Sequence, residues 1–121
     1  MRSQAFDLGR DLHGMVAGRT DVAYCLEVAE HLTPELGDRL VTFLTLVASR
    51  VVFSAAHPGQ GGAGHINEQP REYWTARFLR RGFGERIDLT RQLRSAVVAR
   101  GVGGAWFPTN LAVYEAHSIA R

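Results

Sequence analysis

The sequence contains no lysine and a single cysteine, Cys25. All 14 basic residues are therefore arginine, and against 12 acidic residues they give a formal net charge of only +2. This small excess does not indicate nucleic-acid binding, because the densest cluster, Arg77, Arg80 and Arg81, lacks the interleaved aromatic residues of a single-strand binder. One cysteine excludes an internal disulfide and fits a reducing compartment, and its apolar neighbours predict a core side chain.

Long apolar segments are also missing. No apolar run approaches the roughly 20 residues that a membrane-spanning helix needs. The N-terminus has no apolar core of the kind found in secretory signals. We therefore predict a cytoplasmic protein with no membrane partner. The length of 121 residues corresponds to one domain, and the hydrophobic fraction of 45% is ordinary for a globular chain.

What is present is an alternation of short apolar runs and amphipathic segments. We predict buried strands at 20–28 and 50–56, and further strands at 83–89 and 105–116, the last being most regular over 110–116. We predict helices from Pro34, after the N-cap Thr33, from Pro70 to Gly82, and over 90–101. This alternation favours a parallel α/β sheet with helices on its faces. So few strands suggest the second half of a larger domain.

The most unusual segment is the glycine-rich stretch 57–74, HPGQGGAGHINEQPREYW. Gly59, Gly61 and Gly64 have the G-x-G-x-x-G spacing of a dinucleotide loop. That loop must open directly into a helix, so that the phosphates meet the helix N-terminus. Here the next predicted helix begins only at Pro70. We therefore predict a glycine-rich loop that covers a site, where glycine allows close backbone approach to a ligand.

Histidines and carboxylates gather near the predicted strand ends. His31, His57 and His65 could hold a metal ion with Glu27 or Glu30, and a metal-dependent hydrolase is one alternative. However, no H-x-H, H-E-x-x-H or paired-cysteine spacing is present, so the sequence favours no metal. Local hydrogen bonding is the simpler role for these histidines, and a general-base role for one of them stays open. No G-x-S-x-G motif supports a serine hydrolase.

Three stretches taken in order resemble a known family. They are DVAYCLEVAEHL (21–32), VVFSAAHPGQGGAGHINEQPREYWTARFLRRGF (51–83) and WFPTNLAVYE (106–115). They resemble strand four, strand five with its following loop and helix, and the last strand of class I S-adenosylmethionine-dependent methyltransferases. Within that superfamily the second stretch is similar to a small bacterial methyltransferase-domain group. The resemblance covers about residues 5–116.

The resemblance implies a Rossmann-like sheet of strand order 3-2-1-4-5-7-6, with strand seven antiparallel and helices on both faces. AFDL (5–8) would end strand three, so this chain would contain about strands three or four to seven. The family's E/D-x-G-x-G-x-G loop and the acidic residue that ends strand two have no counterpart. We therefore expect 1–121 to be a single partial methyltransferase domain, truncated at its N-terminus. An unpaired sheet edge would then favour oligomers.

The resemblance also implies roles for individual residues. Contacts to the S-adenosylmethionine cofactor are expected from Asp7 and Leu8, near its adenine, and from Leu26, Glu27 and Val28, at its methionine end. Contacts to the methyl acceptor are expected from His57, Gln60 and Asn67. The candidates for a catalytic base are His31 and His65.

The function expected from this resemblance is S-adenosylmethionine-dependent methyl transfer to a small-molecule acceptor, with this chain supplying the acceptor side. Because the cofactor-binding glycine loop is missing, we expect weak or no cofactor binding by the chain alone. The alternative is an inactive remnant or an interaction module without cofactor binding. Whether the chain is an enzyme at all therefore stays open at this stage.

Overall fold

The computed structural model describes residues 7–10, 12 and 18–117. The strands are β1 (Thr20–Leu26), β2 (Ala48–Ser54), β3 (Phe83–Glu85) and β4 (Leu111–Ala116). The helices are α1 (Pro34–Val47), α2 (Arg71–Arg80), α3 (Ile87–Arg100) and α4 (Trp106–Asn110), with a short 3₁₀ turn at Ala29–His31. None of the described helices is long and apolar enough to cross a membrane.

The strands form one open, mixed sheet in the order β1-β2-β4-β3. β1 and β2 are parallel, whereas β4 runs antiparallel to both β2 and β3. The predicted α/β class and the antiparallel last strand are therefore confirmed. The purely parallel sheet that the alternation favoured is wrong, since β1 and β2 form the single parallel pair among the described strands.

Helices cover both faces of this sheet, as predicted. Alternate side chains of β2 point to opposite faces, so Phe53 belongs to one apolar cluster and Val52 to another. α1 and α2 pack on the Phe53 face, where the Phe78 and Tyr114 rings stack at a centroid distance of 4.1 Å. α3 and α4 pack on the Val52 face, through side chains that include Leu93. Each fully buried large side chain stabilises the fold by roughly 1.5–3 kcal/mol.

The helix α1 begins where the sequence predicts. The hydroxyl of Thr33 accepts a hydrogen bond from the Leu36 N–H at 3.3 Å, and Pro34 occupies the first turn. Its buried face includes Leu40 and Leu44, one helical turn apart. This helix connects the two parallel strands and so brings their carboxyl ends to the same edge of the sheet.

Two strand predictions are wrong in part. The segment 83–89 is a strand only to Glu85, and α3 begins at Ile87 because Asp88 lies in its first turn and accepts hydrogen bonds from Arg86. The segment 105–116 begins as the helix α4, in which the Thr109 hydroxyl donates to the Trp106 carbonyl oxygen at 2.8 Å.

Two further predictions fail at the edge of the sheet. β1 is mostly exposed rather than buried, with Tyr24 71% accessible, because no described strand pairs with its outer side. The expected strand end at AFDL is a turn where it is described, since the Arg10 N–H donates to the Asp7 carbonyl oxygen. Residues 5 and 6 lie outside the described part.

Candidate functional site

The segments that follow β1 and β2 meet at the carboxyl edge of the parallel pair. Glu27 follows β1 with a φ of +56°, and it is the only non-glycine residue in the described part of the chain with a positive φ. Its N–H donates to the carbonyl oxygen and the hydroxyl of Ser54, both at 3.0 Å. This backbone conformation costs about 1–3 kcal/mol and is enriched at functional sites.

A polar cluster joins this edge to the glycine-rich loop. The Asn110 side chain donates to the Glu27 carboxylate at 3.2 Å and to the Gln60 side-chain oxygen at 2.9 Å. Asn110 is buried, and its own side-chain oxygen has no hydrogen-bond partner. Buried acceptors are nearly always paired, so this oxygen is suited to a donor from a ligand. No motif in the sequence points to Asn110, whose only signal is an asparagine directly before a strand.

Glu30 is the most buried acidic residue of the site, at 1% exposure. Its backbone carbonyl oxygen accepts the N–H groups of Ile66 and Asn67, which ties the glycine-rich loop to the 3₁₀ turn. Its carboxylate oxygen Oε2 has no partner. Burial raises the pKa of the Glu30 carboxyl; a backbone N–H opposes this rise, and the Glu27 carboxylate adds to it.

The rings of His31 and His65 lie edge to face, with centroids 4.9 Å apart. His31 Nδ1 lies 3.1 Å from the carbonyl oxygen of Gly64, and His65 Nδ1 lies 2.8 Å from the carboxylate of Glu68. Both partners are acceptors, so each Nδ1 carries the proton and, in the neutral ring, each Nε2 keeps its lone pair. The two predicted base candidates therefore lie together and have the same tautomer, with the proton on Nδ1.

Backbone N–H groups of the glycine-rich loop donate hydrogen bonds to the Glu68 carboxylate. This carboxylate accepts the N–H of Gly59 at 3.1 Å and that of Gly61 at 2.7 Å, besides its bond to His65. The His65 hydrogen bond, assisted by the two backbone N–H groups, lowers the pKa of Glu68. α2 begins only at Arg71, so these loop N–H groups face an internal carboxylate rather than a phosphate at a helix N-terminus.

The residues expected to contact the cofactor form two groups along the chain, 26–28 and 7–8. Leu26 and Val28 flank Glu27 and are 39% and 40% exposed, which leaves an accessible apolar surface beside a carboxylate. Asp7 is exposed, while Leu8 is half-buried against the core and its carbonyl oxygen accepts a hydrogen bond from Arg39.

The residues expected to contact the acceptor differ in exposure. Gln60 belongs to the Asn110 cluster, whereas Asn67 is buried and receives a 2.8 Å hydrogen bond from the Gln69 side chain. His57 is half-buried and borders a small cleft with Asn110. Burial, together with the charges of nearby arginines, lowers the pKa of His57.

One group of side chains has the chemistry of a metal site. One ligand atom each from Glu30, His31 and His65 lies within 4.8 Å of the other two. His57 is not part of this group, so the alternative set of His31, His57 and His65 does not come together in the described structure.

Compared with protein-family models, curated proteins and solved structures, the chain matches none of them. A function is therefore inferred from its own residues and geometry. The carboxyl edge of the β1-β2 pair gathers a strained glutamate, a matched histidine pair and unpaired buried polar atoms. That combination is typical of a binding or catalytic site.

Proposed function

We propose that the chain forms the acceptor side of a class I S-adenosylmethionine-dependent methyltransferase domain, acting on a small-molecule acceptor. The order β1-β2-β4-β3, with β4 antiparallel to both neighbours, carries this proposal. In the strand numbers of the resembled family, it corresponds to four, five, seven and six, and β4 has the reversed direction of strand seven. The sequence resemblance assigns strands four, five and seven to the segments that form β1, β2 and β4.

The residues after β1 fit one side of such a cofactor. Leu26 and Val28 offer apolar surface, and the Glu27 carboxylate keeps acceptor capacity for an ammonium group beyond its long hydrogen bonds to Asn110. Open α/β sheets bind ligands beyond the carboxyl ends of their strands, which is where these residues lie. When bound, the cofactor would supply a methyl group on a sulfonium, ready for displacement.

The other side of this edge supplies groups for the acceptor. Methyl transfer depends mainly on holding two atoms in line, with a base where the acceptor must lose a proton. His31 and His65 present Nε2 lone pairs suited to that role. Gln60 and Asn110 lie across the same edge and can orient a polar acceptor.

The proposal is tested by following backbone amide resonances during titration with S-adenosylhomocysteine, with adenosine as the matched control. We expect S-adenosylhomocysteine to shift the amides of 26–28 as well as those of Asp7 and Leu8, whereas adenosine should shift only Asp7 and Leu8. Absence of shifts at 26–28 at millimolar ligand would contradict the proposal.

The affinity of the chain alone is expected to be weak, because its sequence lacks the E/D-x-G-x-G-x-G pattern that holds the methionine and ribose. Calorimetric titration with S-adenosylhomocysteine measures this directly. Micromolar affinity would show that the described edge holds the cofactor without that loop, contrary to our expectation.

A second candidate function is an interaction module, which the outer edge of β1 favours. No described strand pairs with this edge, and Tyr24 and Leu26 are exposed on β1. Unpaired edge strands readily add a further strand from another chain. Sedimentation velocity should then show a concentration-dependent dimer that Tyr24→Lys weakens. A monomer at all concentrations would count against this candidate.

A further inference from the structure

We propose that Glu30, His31 and His65 bind a divalent transition-metal ion at the carboxyl edge of the β1-β2 pair. One ligand atom of each lies within 4.8 Å of the others. Bonds of about 2.1 Å to one ion would draw these atoms together by about 1 Å, which side-chain rotation can supply. The inference concerns metal binding by the chain and stands independently of methyl transfer.

The two histidines are oriented as metal ligands are. In most metal sites a ligating imidazole donates its other N–H to a carboxylate or a backbone carbonyl. Here His65 donates Nδ1–H to the Glu68 carboxylate, and His31 donates Nδ1–H to the Gly64 carbonyl oxygen. Both hydrogen bonds are in place, and they leave Nε2 of each ring free to coordinate an ion.

The third proposed ligand, Glu30, gives an observation in favour of a bound cation that does not depend on the histidine geometry. Glu30 is 1% exposed, and its Oε2 atom has no hydrogen-bond partner. A buried carboxylate oxygen without a partner is rare in proteins and costly for the fold. A cation held between Glu30 and the two imidazoles would give this oxygen the partner that the chain does not provide.

Two glycines of the loop make room for this arrangement. A Cβ atom on Gly62 would lie 2.8 Å from Cε1 of His65, and one on Gly64 would lie 3.2 Å from Nδ1 of His31. Both glycines also have positive φ values, 146° and 75°. Any side chain at either position would crowd an imidazole, so these two glycines of the loop leave the space that the histidine pair occupies.

The donor set selects the class of ion. Two imidazole nitrogens and one carboxylate oxygen suit Zn²⁺ and related first-row ions, whereas Mg²⁺ prefers oxygen ligands throughout. Three protein ligands leave a position open for water or for an oxygen of a second ligand. His31 is exposed, which gives an ion a route from solvent.

Metal binding and the base role exclude each other at any one moment, because both use the Nε2 lone pairs. The cofactor test follows residues 26–28, which are not among the three proposed metal ligands, so the two proposals can fail separately. Shifts at 26–28 with S-adenosylhomocysteine test the methyltransferase proposal, whereas metal titration tests the present one. Neither outcome decides the other.

The experiment uses the tag-free chain, stripped with a chelator, and titrates it with Zn²⁺ by calorimetry and with Co²⁺ by visible absorption. We expect one ion per chain, a Co²⁺ spectrum of low coordination number, and no comparable affinity for Mg²⁺. The single variants Glu30→Gln, His31→Gln and His65→Gln should each lower the Zn²⁺ affinity by more than tenfold. Glu68→Gln, which weakens the support of His65, should lower it by about tenfold.

The matched control is His117→Gln, since His117 is an exposed histidine after the end of β4, at the opposite edge of the sheet. It should leave the Zn²⁺ affinity within about twofold of the parent. Circular dichroism and urea midpoints in the absence of metal identify any variant that fails to fold. The Glu68→Gln variant tests the proposal without changing any of the three proposed ligands. Lack of Zn²⁺ binding by the folded parent, or equal loss in His117→Gln, would overturn the proposal.

Discussion

The left-handed backbone at Glu27 predicts that glycine gives a more stable protein than alanine at this position, the reverse of the usual order. We compare Glu27→Gly with Glu27→Ala, which lose the same carboxylate and the same hydrogen bond from Asn110. At φ +56°, a residue with a Cβ atom pays about 1.5 kcal/mol that glycine avoids. The greater freedom of glycine in the unfolded chain costs about 0.7 kcal/mol. Glycine should therefore be the more stable variant by about 0.8 kcal/mol.

Urea unfolding followed by circular dichroism and tryptophan fluorescence measures this difference, which corresponds to about 3 °C in melting temperature. The control is Ala96→Gly at an exposed position inside α3, where glycine should instead destabilise by about 1 kcal/mol. If Glu27→Ala proves as stable as Glu27→Gly or more so, the residue is not held in the left-handed conformation, and the strain argument for a functional role fails.

Two further predictions concern His57 and Gly37. Burial, together with the charges of nearby arginines, lowers the pKa of His57 in the fold. The folded state therefore loses stability as pH falls below the ordinary pKa of 6.5 toward the lowered folded value. Urea midpoints between about pH 8 and about pH 5 should therefore fall less in His57→Gln than in the parent chain. Gly37→Ala should destabilise by about 1 kcal/mol despite alanine's helix propensity, because the new Cβ would lie 3.2 Å from the buried Trp74 ring. Thermal unfolding measures this change, and a stabilised variant would show that the Trp74 contact can relax.

The sequence predicts those elements that local chemistry determines. The cap at Thr33 fixes the start of α1 because the signal lies within four residues. The segment after Glu85 is mispredicted because its apolar residues fit either periodicity, and a single acidic residue in the first turn, Asp88, is a weak signal for a helix start. The exposure of β1 depends on which strands lie beside it, which periodicity does not report.

The candidate site can be predicted only in part from the sequence, because some of its residues meet through long-range contacts. Glu27, His31 and His65 lie within contiguous stretches of sequence, from which they are predicted as site residues. Asn110 belongs to the site because it donates hydrogen bonds to Glu27 and Gln60, which lie 83 and 50 positions earlier in the sequence. No local sequence pattern encodes contacts over such separations. The choice of Glu30 rather than His57 as companion to the histidine pair likewise follows from the loop folding back over the 3₁₀ turn.

The reversed direction of β4 determines which end of that strand contributes to the site. Parallel strands reach a shared edge with their last residues, and β1 and β2 do so. β4 runs the opposite way, so its first residues pair with the end of β2, as Leu111 does with Ser54. Asn110, the last residue of α4, lies at this edge because it directly precedes β4. A length change in the segment before β4 would therefore alter the chemistry of the site, whereas one after β4 would fall on the far side of the sheet.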